Sequence, residues 1–450
     1  MSILWQSSPM VSDLLLSTTA LARRILPAAL RCDRRGATAL IFAVSAMAFF
    51  GLVGLGTEAG TWYLARRSAQ NAADAAALAG AVAIQQSNDI AATAADLATQ
   101  NGFTTGGSTT VTVRHPPTTG THIGNQSAVE VEVAQVQPRY LSALFLTTSP
   151  TVSARAVGML QNRSVACLVA LSGSVTIQNS SSFNAASCAV ASNANMTAAI
   201  NIPQSNSSVT ADKMIAAGTC SGCNRAIVHL TKGYEEYATP VTNVYSYLDA
   251  KAAPSVSTCI NTAPLTVNGA LTPYTTSNRR AYCANVTVSN TSAVTFPSGT
   301  YVFRNGSLTI GSIASFACSS CTFLFIGNTP GTLSISNTST VNITAPSTNS
   351  IDSDYNGIIF YRQASGTTGS SSSPTLNLQS VSSFNLAGGI YFPQAYVKMG
   401  NVSSVSNLNC LPVIGGTIEI GSLSSYRFDV SNCSAYGTKL PYQQVARLVE

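Results

Sequence analysis

The chain has 450 residues, of which 45% are hydrophobic and only 9% charged, against a usual charged share of about 25%. Its net charge is +6, and the first 70 residues, with seven arginines and three acids, account for +4 of it. The rest is nearly neutral and has no basic patch interleaved with aromatics, which argues against a nucleic-acid partner.

Residues 1–35 form a short basic stub. Arg23, Arg24, Arg31, Arg34 and Arg35 stand there against Asp13 and Asp33. From Ala37 to Leu55 the chain then carries no charge. A helix of that length covers roughly 28 Å, close to the ~30 Å hydrocarbon core of a bilayer. Glu58, Trp62, Tyr63, Arg66 and Arg67 follow as interfacial anchors. A buried soluble helix and a cleaved signal peptide are the competing readings. The flanking charges oppose the first. The length of the run, its start some 36 residues in and the lack of a cleavage site oppose the second. The excess of arginine ahead of the span puts the N-terminus in the cytoplasm and the bulk of the chain outside. Gly56 and Gly60 form a GxxxG pair at the outer end of the span, a pattern that permits close helix contact.

The segment 65–100 is rich in Ala, with Leu78, Val82, Ile84, Ile90 and Leu97, a strongly helical composition. Ser87-Asn88-Asp89 is expected to interrupt it, with Asn88 capping a second short helix that ends at Asn101-Gly102. The Ala face suits close packing, either on another helix or on the protein's own body.

The string RRGATALIFAV, the Gly-rich second half of the apolar run, Glu58, and then Arg66-Arg67 with Gln70, Asn71, Asp74, Leu78 and Gly80 in RRSAQNAADAAALAG resemble the N-terminal segment of TadG-like proteins. These stand with the TadE/G-like proteins of the bacterial tight-adherence (Flp) pilus system. The resemblance covers about 50 residues. It implies a single-pass protein of the bacterial inner membrane, with partners among the pilus assembly and secretion proteins, and no enzyme. Prepilins and pilin-like relatives place a Glu five residues after a Gly processing point. Counted from Gly36, that position is Ile41. The chain is therefore expected neither to be cleaved after Gly36 nor to pack as a pilus subunit.

Residues 103–160 read as a small α+β unit. The stretches 109–113 and 128–133 alternate, the latter with valines on one side and Glu130 and Glu132 on the other. A helical turn is expected over 140–145, and 150–157 resumes the extended pattern. His115 and His122 share a connecting loop and read as solvated, with a metal pair as the sharper alternative.

From 161 to 450 the chain is a Ser/Thr/Asn-rich series of short apolar strands, among them 174–177, 307–310, 322–326, 357–361, 375–378, 389–392 and 416–420. The fold class is therefore mainly β. An N-terminal transmembrane helix with an Ala-rich extension (36–102) and a small α+β unit lead into a large β-rich ectodomain. A β-solenoid is the expected form, because about 280 residues is long for the alternative, a β-sandwich. Residues 225–256 look like an excursion with some helix.

Of eleven cysteines, Cys32 falls on the cytoplasmic side and ten lie outside, an even set suited to an oxidising periplasm. Adjacency suggests Cys167–Cys188, Cys220–Cys223, Cys259–Cys283, Cys318–Cys321 and Cys410–Cys433. The two CxxC pairs could instead supply four zinc thiolates or a redox pair. The zinc reading has no supporting histidine except His229, and the redox reading lacks a βαβ context.

Chemistry is sparse. Residues 161–450 hold nine acids and one histidine, with no GxSxG, HExxH or P-loop. Asp429-Val-Ser431-Asn-Cys433 ends wrongly for a von Willebrand A metal motif. Asp352, Asp354 and Asn356 fit the first half of a calcium loop, but Gln363 stands where a bidentate Glu is needed, and a strand-entry turn explains them as well. No cofactor is expected. The leading expectation is a non-enzymatic membrane-anchored component of pilus assembly or secretion. The alternatives are an anchored adhesin-like solenoid that binds a glycan or cell-wall polymer and, third, an enzyme acting on polysaccharide.

Overall fold

The computed structural model describes residues 35–450 except 87, 180–181, 204–207, 290–291, 405–409 and 424–425. The basic stub and Cys32 thus lie outside the described residues, apart from Arg35. Two compact units are present. One holds 35–159 together with 447–450, and the other holds 160–446.

In the first unit a single helix, α1 (Arg35–Gln86), runs for 52 residues. Its first half is apolar all round and uncovered, with Phe42 76% exposed. It is the one described helix long and apolar enough to cross a membrane. Its second half is different. Ala69, Ala72, Ala73, Ala76, Ala77 and Ala81 recur at helical spacing and are fully buried. They pack with Val129, Val131, Val133, Ala154 and Ala156. These residues belong to an antiparallel meander of β1 (Thr109–Arg114), β2 (Ala128–Val136) and β3 (Thr151–Ala170). The Ala face is thus spent on the protein's own sheet. The approach is close: a Cβ at Gly158 would lie 2.1 Å from the Ala77 carbonyl oxygen, and one at Gly80 would lie 2.8 Å from Val129. The second helix, α2 (Ile90–Gln100), is capped by Asp89, whose carboxylate accepts from the Ala92 amide at 3.0 Å. The expected cap, Asn88, instead donates its amide to Gln86. One residue further along, the carboxylate is in reach of the first free N–H groups.

The second unit is a parallel β-solenoid of about ten turns, and the sandwich alternative is set aside. Inward residues stack on their equivalents in the next coil, as Tyr301 on Phe323 (5.1 Å) and Phe303 on Phe325 (5.0 Å) do. One corner repeats a single left-handed residue. Asn179, Ser312, Asn337, Ser380 and Asn401 have φ of 55°, 58°, 53°, 55° and 51°. Each follows a strand of the same flank, where Asn tolerates this conformation best among non-glycine residues.

The coils are not stacked in chain order. Along one flank the strands lie in the sequence 265–267, 286–289, 308–311, 333–336, 376–379, 397–400, 418–421, 175–178, 200–201, 220–221. The chain therefore enters in the middle of the stack and winds three coils to one end. It then crosses to the opposite end and winds back until Val413–Leu423 pairs with its own first coil, Val413 beside Leu168 and Ile418 beside Val175. Residues 236–257 make the crossing. They run along an outer flank, where Val241, Tyr245 and Leu248 join Tyr361, Tyr391 and Ile414 in a second buried cluster. The Asn193 side chain bonds both backbone groups of Val241 at 2.8 Å, the Asn243 side chain donates to the Tyr391 hydroxyl, and the Tyr361 hydroxyl donates to the Leu248 carbonyl. The excursion expected at 225–256 is thus a strap over the solenoid, with a 3-10 turn at Ser246–Leu248.

The disulfides follow the coil length. Cys167–Cys188, Cys259–Cys283 and Cys410–Cys433 span 21, 24 and 23 residues, about one coil each. Cys220–Cys223 and Cys318–Cys321 span three and clamp corners. A loop of one coil loses about 3 kcal/mol of unfolded-state entropy when closed, and a three-residue corner about 2. Replacing both Cys259 and Cys283 by serine is therefore expected to cost about 3 kcal/mol, more than the Cys220/Cys223 pair, as read from urea midpoints.

Candidate functional site

The chemistry of the first unit gathers where α1 changes from an uncovered apolar rod to a docked helix. Glu58 is 4% exposed. Its carboxylate accepts from the Tyr140 and Ser142 amides, both at 2.9 Å, and from the Ser142 hydroxyl at 2.5 Å. It caps the 3-10 turn Leu141–Leu144, the turn expected over 140–145. In the sequence Glu58 reads as an interfacial anchor, and its partners, more than 80 residues away, leave no local signal. One turn further along α1, a notch of about 420 Å³ is lined by Trp62, Tyr63, Arg66 and residues 151–153.

The motif residues have separate tasks. The Gln70 side-chain amide donates to Asp74 at 2.7 Å and to the Arg155 carbonyl at 3.2 Å, tying α1 to β3. Leu78 is half-buried and Asn71 exposed. A Cβ at Gly56 or Gly60 would meet nothing within 4 Å, so this face of the helix is open.

Glu130, on the face opposite the β2 valines, is 1% exposed. The loop after β1 folds over it. The amides of Thr118 and Thr119 donate at 2.9 and 3.1 Å and the Thr119 hydroxyl at 2.8 Å, with Arg114 and Arg155 at 2.9 and 3.3 Å. Burial alone would raise its pKa, but these donors hold it down at about 2. Arg155 also pairs with Glu450 at 2.6 Å. Because the folded pKa lies below the unfolded one, Glu130 stabilises the unit above about pH 4.5 and loses that contribution as pH falls toward 2. Glu130→Gln is expected to cost about 2 kcal/mol at pH 7 and to flatten the acid side of a melting-temperature profile. Of the two loop histidines, His115 has its Nε2 engaged, 2.8 Å from the Gln126 carbonyl.

In the solenoid, the carboxylates of Asp352 and Asp354 both hold the Lys251 ammonium, the former at 2.7 Å. Asp352 also caps the turn that follows it, and Asn356 accepts from the Asn349 amide. A calcium ion there would face a lysine. Among the described residues no group of three or more His, Cys, Asp or Glu could hold a metal. Glu419 is buried on an outer flank with all its capacity taken: Tyr396 and Ser371 donate at 2.5 and 2.7 Å, Lys398 and Gln178 at 3.1 and 3.2 Å. Burial works to raise its pKa, but the hydrogen bonds prevail and hold it below the usual carboxylate range.

A long apolar helix docked on a small sheet and continued in a disulfide-braced solenoid defines a helix-tethered β-solenoid protein. Residues 36–83, about a tenth of the chain, match the family model described as "Putative Flp pilus-assembly TadE/G-like". The resemblance carried by Gln70, Asn71, Asp74 and Leu78 is borne out over this segment by the family match. No curated protein and no solved structure matches the chain.

Proposed function

We propose that this protein is a non-enzymatic, single-pass inner-membrane component of Flp-type pilus assembly or secretion, with its N-terminus in the cytoplasm and its solenoid in the periplasm. The TadE/G-like match over residues 36–83 carries the reading. The uncovered apolar half of α1 supports membrane insertion, since such a helix is stable only when lipid or another apolar surface covers it. The arginines ahead of it favour the stated orientation. Five disulfides fit an oxidising compartment. A structural role is supported by the acids of the solenoid: Glu235, Glu419, Asp352, Asp354, Asp429 and Asp212 are each held by a lysine or arginine, so these six are engaged in ion pairs.

The glycan-binding alternative has one observation in its favour, the in-register outward column Thr287, Thr309, Ser334, Asn377 and Lys398. The test is a deletion strain complemented with wild-type protein, combined with crosslinking and co-purification. The proposal expects loss of surface pili on deletion and recovery of pilus secretion components with the wild-type protein. Normal piliation with no such neighbours would overturn it, and specific retention on a glycan array would favour the alternative.

A further inference from the structure

The loop around the 3-10 turn Leu141–Leu144 exposes an unusual set of side chains. Tyr140, Leu144 and Phe145 are 72%, 78% and 73% exposed, and Leu146 is 42% exposed. Four large apolar groups on seven residues form a patch of the kind that marks a binding or membrane surface. The loop is also held in place. The Glu58 carboxylate takes three hydrogen bonds from Tyr140 and Ser142, and the Arg139 guanidinium closes the loop on the Leu146 carbonyl at 2.6 Å. The Leu141 methyls lie 3.1 Å from the Cβ position of Gly54.

These contacts fix the level of the loop along α1. Gly54 and Glu58 straddle the end of the uncharged run, whose last apolar side chain is Leu55 and whose first following charge is Glu58 itself. A loop clamped between them sits where hydrocarbon gives way to headgroups. Aromatic and aliphatic side chains partition favourably into that zone, and arginine extends to the phosphates. Three donors from the loop satisfy the Glu58 carboxylate, so its charge is hydrogen-bonded within the protein at this level.

We propose that the 139–146 loop is a second membrane contact. Tyr140, Leu144, Phe145 and Leu146 insert into the phospholipid interface beside α1, with Arg139 at the phosphate level. This rests on the reading of α1 as a membrane span. A helix alone leaves its unit free to rotate about the helix axis. A second contact at one azimuth fixes which side of the β1–β3 sheet faces the membrane, and Glu58 is the positioning residue that holds the loop there.

The test uses the full-length chain in phospholipid nanodiscs. The two native tryptophans are first replaced (W5F, W62F), then F145W or, in parallel, L144W is introduced, with F50W as the probe of the span. Lipids spin-labelled at acyl carbon 5 or carbon 12 serve as depth quenchers, and acrylamide serves as the aqueous one. The expected result is strongest quenching of F50W by the carbon-12 label and of F145W and L144W by the carbon-5 label. Adding E58Q should reduce the loop signal at least twofold while leaving F50W unchanged. Loop probes quenched by acrylamide alone, or by neither reagent because protein covers them, would overturn the inference while a quenched F50W preserved the span. An unquenched F50W would overturn the span and the loop contact together.

Discussion

A chain ending at Ser404 is expected to lose its cooperative solenoid altogether, whereas one ending at Leu440 keeps it. In a solenoid stacked in chain order the last coil is a cap, and its removal trims the stack. Here the last coil lies in the middle. Val413, Ile414, Ile418 and Ile420 are fully buried, as are Leu168, Val169, Val175 and Ile177 of the first coil against which they pair. At roughly 2 kcal/mol for each buried side chain, removing this seam takes away as much as the 5–15 kcal/mol that keeps a typical domain folded. The three coils over 168–235 would retain only the strap. Urea unfolding followed by circular dichroism reads the difference. A cooperative transition with a modestly lowered midpoint in the shorter chain would contradict the stacking order.

The second large effect is expected in the helix–sheet unit. Gly158→Val should separate α1 from β3, because its side chain would meet the Ala77 carbonyl oxygen and carbon at 2.1 and 2.5 Å, backbone atoms that cannot turn aside. Overpacking against backbone costs about 3 kcal/mol or more. The alanine face contributes little area per residue to resist it. Hydrogen exchange should then show lost protection over 69–81 with the solenoid unchanged. Gly60→Val is the control, since nothing lies within 4 Å of its Cβ position. Equal protection in the two variants would contradict the docking described.

Much of this architecture is local and therefore legible in the residues. The uncharged run from Ala37 to Leu55, the alanine spacing in α1 and the strand–turn repeats each report a neighbour a few residues away. Adjacent cysteines meet because one coil consumes 21–24 residues. What was not legible depends on contacts distant in sequence. Every coil offers the same apolar alternation, so nothing in 418–421 marks 175–178 as its partner. Glu130 alternates with valines as a solvated residue would, and only the loop bearing Thr118 and Thr119 buries it. Glu58 looks like any interfacial acid until residues 140–142 arrive. Asp89 displaced Asn88 as a cap by one position, a distinction made by backbone geometry rather than by residue type.

Amine labelling tests the topology most directly. All five lysines, Lys213, Lys232, Lys251, Lys398 and Lys439, lie in the solenoid, and Lys232 is 55% exposed at its side chain. A membrane-impermeant amine reagent applied to spheroplasts should modify Lys232 and leave the N-terminal amine untouched, with the pattern reversed in sealed inverted vesicles. Modification of Lys232 only from the cytoplasmic face would contradict an anchored protein whose solenoid lies beyond the inner membrane.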